Sequence, residues 1–144
     1  MLSQVVSLSM NFFTPRTVLR VEGAAVFAAA LAAYFFVLDG PLWLLVVLAL
    51  APDLAMVGYL AGPRIGAATY NAAHNYLPPL ALAGLGVWLG SDPALWGAAV
   101  WVGHVGADRA VGYGLKYATG FGDTHLGRQS TSGPVEPVVT DDRA

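Results

Sequence analysis

The chain contains no cysteine. Disulfides, thiolate nucleophiles and thiolate metal ligands are therefore excluded. Charge is nearly as scarce: 11% of the residues are Asp, Glu, Lys or Arg, against about 25% in an average soluble domain. The net charge of −2 provides no basic field for nucleic acid. Only three histidines are present, so any site built on imidazole has few to draw on. What is abundant is apolar: 56% of the 144 residues are hydrophobic and the mean hydropathy is +0.60. The length fits one compact domain, and the charge deficit along most of it points to an integral membrane protein.

Four apolar runs approach the roughly 20 residues needed to cross a bilayer. The first, 17–38, carries Arg20 and Glu22 in its opening turns. The second, 41–60, follows the turn Asp39-Gly40-Pro41, and Pro52 is placed to kink it just before Asp53. The third, 65–89, follows Gly62-Pro63-Arg64 and is interrupted by Pro78-Pro79. The fourth, 93–113, follows Ser91-Asp92-Pro93, where Ser91 or Asp92 is able to cap the next helix. A signal peptide is the competing reading of the first run, but residues 23–38 are long for one and end without a clear cleavage motif. The expected fold is all-α: a polytopic membrane protein with a four-helix transmembrane bundle. The domain runs over residues 1–128. Its first residues, 1–15, form a lead suited to the membrane surface, and its C-terminal motif is cytoplasmic. A Ser/Thr/Pro-rich tail, 129–144, reads as disordered.

Lys and Arg set the orientation. Arg16 and Arg20, then Arg64, then Lys116 and Arg128 lie on one side of the alternation, while the turns at 39–41 and 91–93 carry no base. Both termini are thereby expected in the cytoplasm, in a multi-pass protein of the plasma membrane. Small residues recur four apart at Gly58/Gly62, Gly62/Gly66 and Gly86/Gly90. This spacing suits internal packing at least as well as a seam between copies, so a homo-oligomer is allowed but not required.

Against this background Asp53 stands out, because a charge near a bilayer centre costs at least about 2.5–3.5 kcal/mol. His74, His104 and Asp108 lie inside other apolar runs. At 1.5 Å per residue, Asp53 falls roughly 18 Å from the outer edge, His104 about 16 Å and Asp108 about 22 Å, with His74 about 13 Å from the inner edge. All four fall at a similar depth. His104 and Asp108, four apart, share a helix face. Tyr70, Asn71 and His74 lie within one turn, and Asn75 extends that polar surface. Asp53, Asn71, His74, His104 and Asp108 are thus the candidate site, in the inner half of the bundle. A purely structural hydrogen-bond network, with Asp108–Arg109 or Asp53–Arg pairing, accounts for the same residues. Glu22 lies near enough to join either arrangement, though at the membrane edge it also reaches the headgroups.

His74, His104, Asp108 and His125 would make a zinc set of three histidines and one carboxylate, with an open position if the zinc is catalytic. No pair of histidines shows a local ligand spacing such as H-E-x-x-H. Histidines hydrogen-bonded to carboxylates are the simpler alternative. Trp43, Trp88, Trp96 and Trp101 read as interfacial or lipid-facing anchors, Trp101 being the deepest.

Four strings, in order, carry a family likeness: Ala51-Pro52-Asp53-Leu54-Ala55-Met56-Val57-Gly58-Tyr59, Tyr70-Asn71-Ala72-Ala73-His74, the run from His104 to Tyr117, and Phe121-Gly122-Asp123-Thr124-His125-Leu126-Gly127. Over roughly residues 16–128 they resemble the domain of unknown function 4260 family of small bacterial integral membrane proteins. The resemblance implies a compact multi-helix membrane protein and no particular activity. It places Asp53, Tyr59, Asn71, His74, His104, Asp108, Arg109, Lys116, Asp123 and His125 within the family's strings. Three readings of function follow. One is a membrane-embedded hydrolase, metal-dependent or not, acting on a lipid or other amphiphile. Another is a proton-coupled transporter or channel. The last is a non-catalytic assembly or sensor component.

Overall fold

The first helix starts where Thr14 and Pro15 meet. The Thr14 hydroxyl accepts from the Thr17 amide at 3.3 Å, and Pro15 occupies a first-turn position that needs no N–H. In this computed structural model, which describes residues 14–128, helix α1 runs Pro15–Phe36. Most of the expected surface lead and the whole of the expected disordered tail lie outside the described residues.

The second apolar run is not one regular helix. Helix α2, Leu42–Leu48, is followed by three turn residues and a 3-10 helix, Pro52–Ala61. Pro52 lacks an amide hydrogen, and the Asp53 amide bonds Leu50 O at 3.1 Å, one residue short of the α-helical partner. The kink expected at Pro52 is therefore present as a change of winding.

The third run divides into α3, Pro63–Ala73, and α4, Leu77–Leu89. The interruption lies at residues 74–76, upstream of the expected Pro78-Pro79. Those prolines sit in the first turn of α4, where a missing N–H costs nothing. Asn75 makes the break: its amide donates to Asn71 O at 2.7 Å and Ala72 O at 3.0 Å, and its oxygen accepts from the Leu77 amide at 2.9 Å. The side chain thus stands in for the backbone partners that a continuous helix would supply.

Helix α5, Asp92–Val111, packs against α1, α4 and, to a smaller extent, α2, while the 3-10 helix packs on α3. Ser91 precedes α5 without making a side-chain cap bond. At the other end Gly112 adopts φ +98°, with Tyr113 N donating to Asp108 O at 2.7 Å and Gly112 N to Arg109 O at 3.1 Å. This left-handed stop turns the chain back toward α3. There strands β1, Asp123–Thr124, and β2, Gly127–Arg128, form a small antiparallel hairpin that an all-helical reading leaves out.

Two helices, Pro15–Phe36 and the composite Leu42–Ala61, are long and apolar enough to cross a membrane, with mean hydropathies of 1.6 and 2.1. Their most apolar stretches are only 17% and 6% buried. Trp43 and Trp88 are exposed as expected, but Trp96 turns inward and donates to Leu38 O at 2.8 Å.

The small residues that bring helices together include a pair outside the four-residue series. A Cβ on Gly23 would lie 2.8 Å from Gly106 O, and one on Gly106 would lie 2.9 Å from Gly23 O. Gly58 and Gly66, which belong to the series, face Thr69 and Tyr59 within the 3-10/α3 pair, so they serve internal packing. Gly23→Ala is expected to cost about 1–3 kcal/mol through overpacking. Gly84→Ala, with open space around the added Cβ, is expected to be neutral or mildly stabilising. Thermal unfolding of both variants checks the pair, and equal effects would contradict the α1–α5 contact.

Candidate functional site

The helix breaks leave carbonyls without helical partners. Ala49 O has no N–H at Pro52 to accept from, and the Asp53 amide has gone to Leu50. Ala73 O has lost the Leu77 amide to Asn75. Both carbonyls are taken by ring N–H groups of α5: His104 Nδ1 meets Ala49 O at 2.6 Å, and Trp101 Nε1 donates to Ala73 O at 2.6 Å. His74, at the end of α3, points Nδ1 at Tyr70 O at 2.9 Å. Its ring stacks on Tyr70, 3.7 Å between centroids and 8° from parallel.

These contacts fix the imidazoles. A carbonyl only accepts, so Nδ1 carries the proton in both rings and each neutral ring directs a lone pair from Nε2. The two Nε2 atoms face each other at 3.2 Å. Asp53 Oδ1 stands 3.2 Å from His74 Nε2 and 3.5 Å from His104 Nε2. Asp108 Oδ2 lies 3.7 and 3.8 Å from the same nitrogens and accepts from the Tyr70 hydroxyl at 3.0 Å. Four acceptors thus converge with no donor among them. A proton on one Nε2, or a cation among them, relieves the repulsion.

The triangle of Asp53, His74 and His104 ligand atoms fits a metal ion. Bonds of about 2.0–2.2 Å in a tetrahedral zinc site place ligand atoms about 3.3–3.6 Å apart, and the observed edges are 3.2, 3.2 and 3.5 Å. Metal-bound histidines almost always donate their other ring nitrogen to a carbonyl or carboxylate, as both rings do here. The cluster is largely enclosed: His74 is 4% exposed, and His104, Asp53 and Asp108 are partly buried.

A cavity of about 310 Å³ opens on the carboxylate side, lined by Asp53, Met56, Tyr70, Asp108, Lys116 and Phe121 among others. Lys116 is buried; its ammonium donates to Phe121 O at 2.9 Å and lies 3.7 Å from the Phe121 ring centroid and 4.8 Å from that of Tyr70. Burial holds this ammonium below the ordinary lysine value, and the Asp108 carboxylate opposes that shift.

The structure therefore brings together Asp53, His74, His104 and Asp108, the residues placed at one depth by counting. It does not bring the other two candidates to them. Asn71 clamps the chain after α5 instead: its amide donates to Lys116 O at 2.8 Å, and its oxygen accepts from the Lys116 amide at 2.7 Å. His125 is exposed, and its Nδ1 accepts from the Leu115 amide at 2.8 Å, so this ring is committed to the hairpin rather than to the cluster. Asp53, not His125, is the third member of the group that could hold an ion. The chain after α5 returns over the site through Lys116 and Phe121. Glu22 is exposed, and Arg109 lies over the Tyr76 ring at 4.5 Å rather than pairing with an aspartate. Tyr70, Lys116 and Trp101 are the contributors the site list lacks. Tyr70 has a signal in sequence, one turn before His74, and Lys116 falls in the string from His104 to Tyr117; Trp101 has none beyond being a polar-tipped residue in an apolar run.

Helices enclosing a His/Asp cluster define the chain structurally, and its family follows from the sequence match. The chain belongs to the domain of unknown function 4260 (DUF4260) family, whose pattern matches residues 16–129. No curated protein and no solved structure matches it.

The Asn71 clamp has a measurable weight. Asn71→Leu strands the Lys116 backbone amide and carbonyl, a loss of about 1–3 kcal/mol for each buried unpaired group. The expected result is a clear fall in the thermal midpoint. An unchanged midpoint would mean that water satisfies Lys116 and that Asn71 does not hold the segment.

Proposed function

We propose that this chain is a four-span membrane protein that holds a divalent ion, best matched by zinc, between Asp53, His74 and His104, and hydrolyses an amphiphilic substrate there. The observation that carries the reading is the pair of imidazoles whose protons are committed to Tyr70 O and Ala49 O while their lone pairs meet at 3.2 Å. The membrane assignment draws on Leu42–Ala61, whose most apolar stretch is 6% buried. A core helix of a soluble protein would be mostly covered.

A bound divalent ion would lower the pKa of a water at its open position to about 7 and polarise an ester oxygen. Asp108, beside both Nε2 atoms, would serve as the general base toward an attacking water and then as the general acid toward the departing alcohol oxygen. Tyr70 keeps the Asp108 carboxylate oriented through its hydroxyl. A second, apolar cavity of about 270 Å³, with Phe27, Leu31, Leu45 and Val100 in its wall beside His104, offers room for an acyl chain. A transport reading draws on one further feature: two broken helices meet at the cluster, as in carriers whose sites lie at helix interruptions.

Protein purified in detergent and dialysed against zinc is expected to retain about one ion per chain. Asp53→Asn, His74→Ala and His104→Ala are each expected to lose it while remaining helical. Asp108→Asn is expected to keep the ion and lose ester hydrolysis in mixed micelles. Wild-type protein that retains no zinc would end the metal reading. Metal passage across liposomes without hydrolysis would select the carrier instead.

Topology is checked separately by cysteine labelling, since the chain has none of its own. Labels at Asp39 and Ser91 are expected to react from outside and one at Arg64 from the cytoplasm. An outside-accessible Arg64 is incompatible with four crossings in this orientation.

A further inference from the structure

The charges around the carboxylate-side cavity do not balance once a cation enters. Asp53 and Asp108 contribute two negative charges and Lys116 one positive charge. Without an ion, a proton on one Nε2 balances the pocket. A divalent ion in place of that proton leaves a net single positive charge, since an imidazole that binds a cation through its lone pair is neutral. An enclosed site does not hold such an excess cheaply, because a buried charge without a partner is strongly unfavourable. An anion of one net charge in the same cavity restores the balance.

The position of Lys116 suits that role. The side chain is buried, at 4% exposure, yet it lines the cavity rather than lying in the protein's packed interior. Its one direct hydrogen-bond partner among the described residues is the neutral Phe121 carbonyl, and it sits on the faces of Phe121 and Tyr70. An ammonium has three donors, so two remain for an oxyanion. Its backbone is fixed from both sides by Asn71 and by the bridge to Thr124. The donor is therefore held in place before any ligand arrives.

We propose that Lys116 and the metal position together form an oxyanion site, and that the substrate head group is a singly charged phosphate ester or an anion of like shape. This rests on the metal reading above and names the substrate class for that same cavity. The same phosphate chemistry is carried by a lipid head group or by a free phosphate, and the two sources differ in whether a chain accompanies the anion.

The test uses full-length protein in neutral detergent, loaded with zinc, and titrated with dimethyl phosphate and with methyl dodecyl phosphate, both singly charged diesters. Lys116→Met is expected to weaken both by at least tenfold. The same variant is expected to bind zinc equally or more tightly, since a neighbouring positive charge has gone. Opposite responses of anion and metal are what an oxyanion donor produces. Methyl dodecyl phosphate binding at least tenfold more tightly than dimethyl phosphate identifies a lipid-like substrate, and equal affinities identify a soluble one. Phosphate affinity unchanged in zinc-loaded Lys116→Met overturns the proposal alone. Zinc and phosphate affinities that fall together also overturn it, since Lys116 would then support the fold and not the anion. Lys116→Arg, which keeps the charge, restores anion binding if Lys116→Met fails to fold, and its failure to bind phosphate while holding zinc counts against the site. Absence of zinc from wild-type protein is the separate failure of the metal reading.

Discussion

Three ring N–H groups donating to backbone carbonyls hold the centre of this molecule together. His104 takes the carbonyl freed at Pro52, Trp101 takes the one freed at Asn75, and His74 takes one from its own helix. In an apolar environment each unmet carbonyl is costly, so an interrupted helix needs a partner at each interruption. Here the partners come from one helix face, with Trp101 and His104 three residues apart on α5. The same bonds that complete the backbone also set which nitrogen of each imidazole is free. Fold and site are in this sense one set of hydrogen bonds: an imidazole turned to serve the cluster differently would strand a carbonyl.

Much of the cluster was legible in the sequence, because polar residues in apolar runs are few and helix geometry converts their positions into depths. His104 and Asp108 were tied by their spacing of four, and Asp53 by being a charge inside an apolar run at the same counted depth. Asn71 shows where this reasoning runs out. Its position one turn from His74 is as good as that of Tyr70, and only the returning chain decides that Asn71 grips the Lys116 backbone while Tyr70 reaches Asp108. His125 failed to join for a related reason. Segment 114–128 has no periodicity to fix it, and its conformation follows from the left-handed turn at Gly112 and from hairpin bonds that composition does not specify.

The helix boundaries tell a similar story. Proline draws attention at Pro78-Pro79, yet those residues sit harmlessly in a first turn. The actual break is made by an asparagine whose side chain imitates backbone donors and acceptors on both sides. Asparagine has that capacity anywhere, so its use at position 75 depends on Trp101 being present to accept the consequence. Likewise a close approach of helix backbones pairs Gly23 with Gly106, residues 83 positions apart in a chain with 17 glycines. No local spacing marks such a pair.

The order of the site residues along the chain governs how the protein is made. Asp53 and His74 emerge from the ribosome well before residues 92–111, which carry the partners for both helix breaks. Until that last helix arrives, the first three apolar runs hold a carboxylate, an imidazole and two unmet carbonyls that nothing upstream can satisfy. The cluster is therefore completed from the C-terminal end, and a chain stopped before His104 leaves its polar interior open to whatever chaperone or water reaches it.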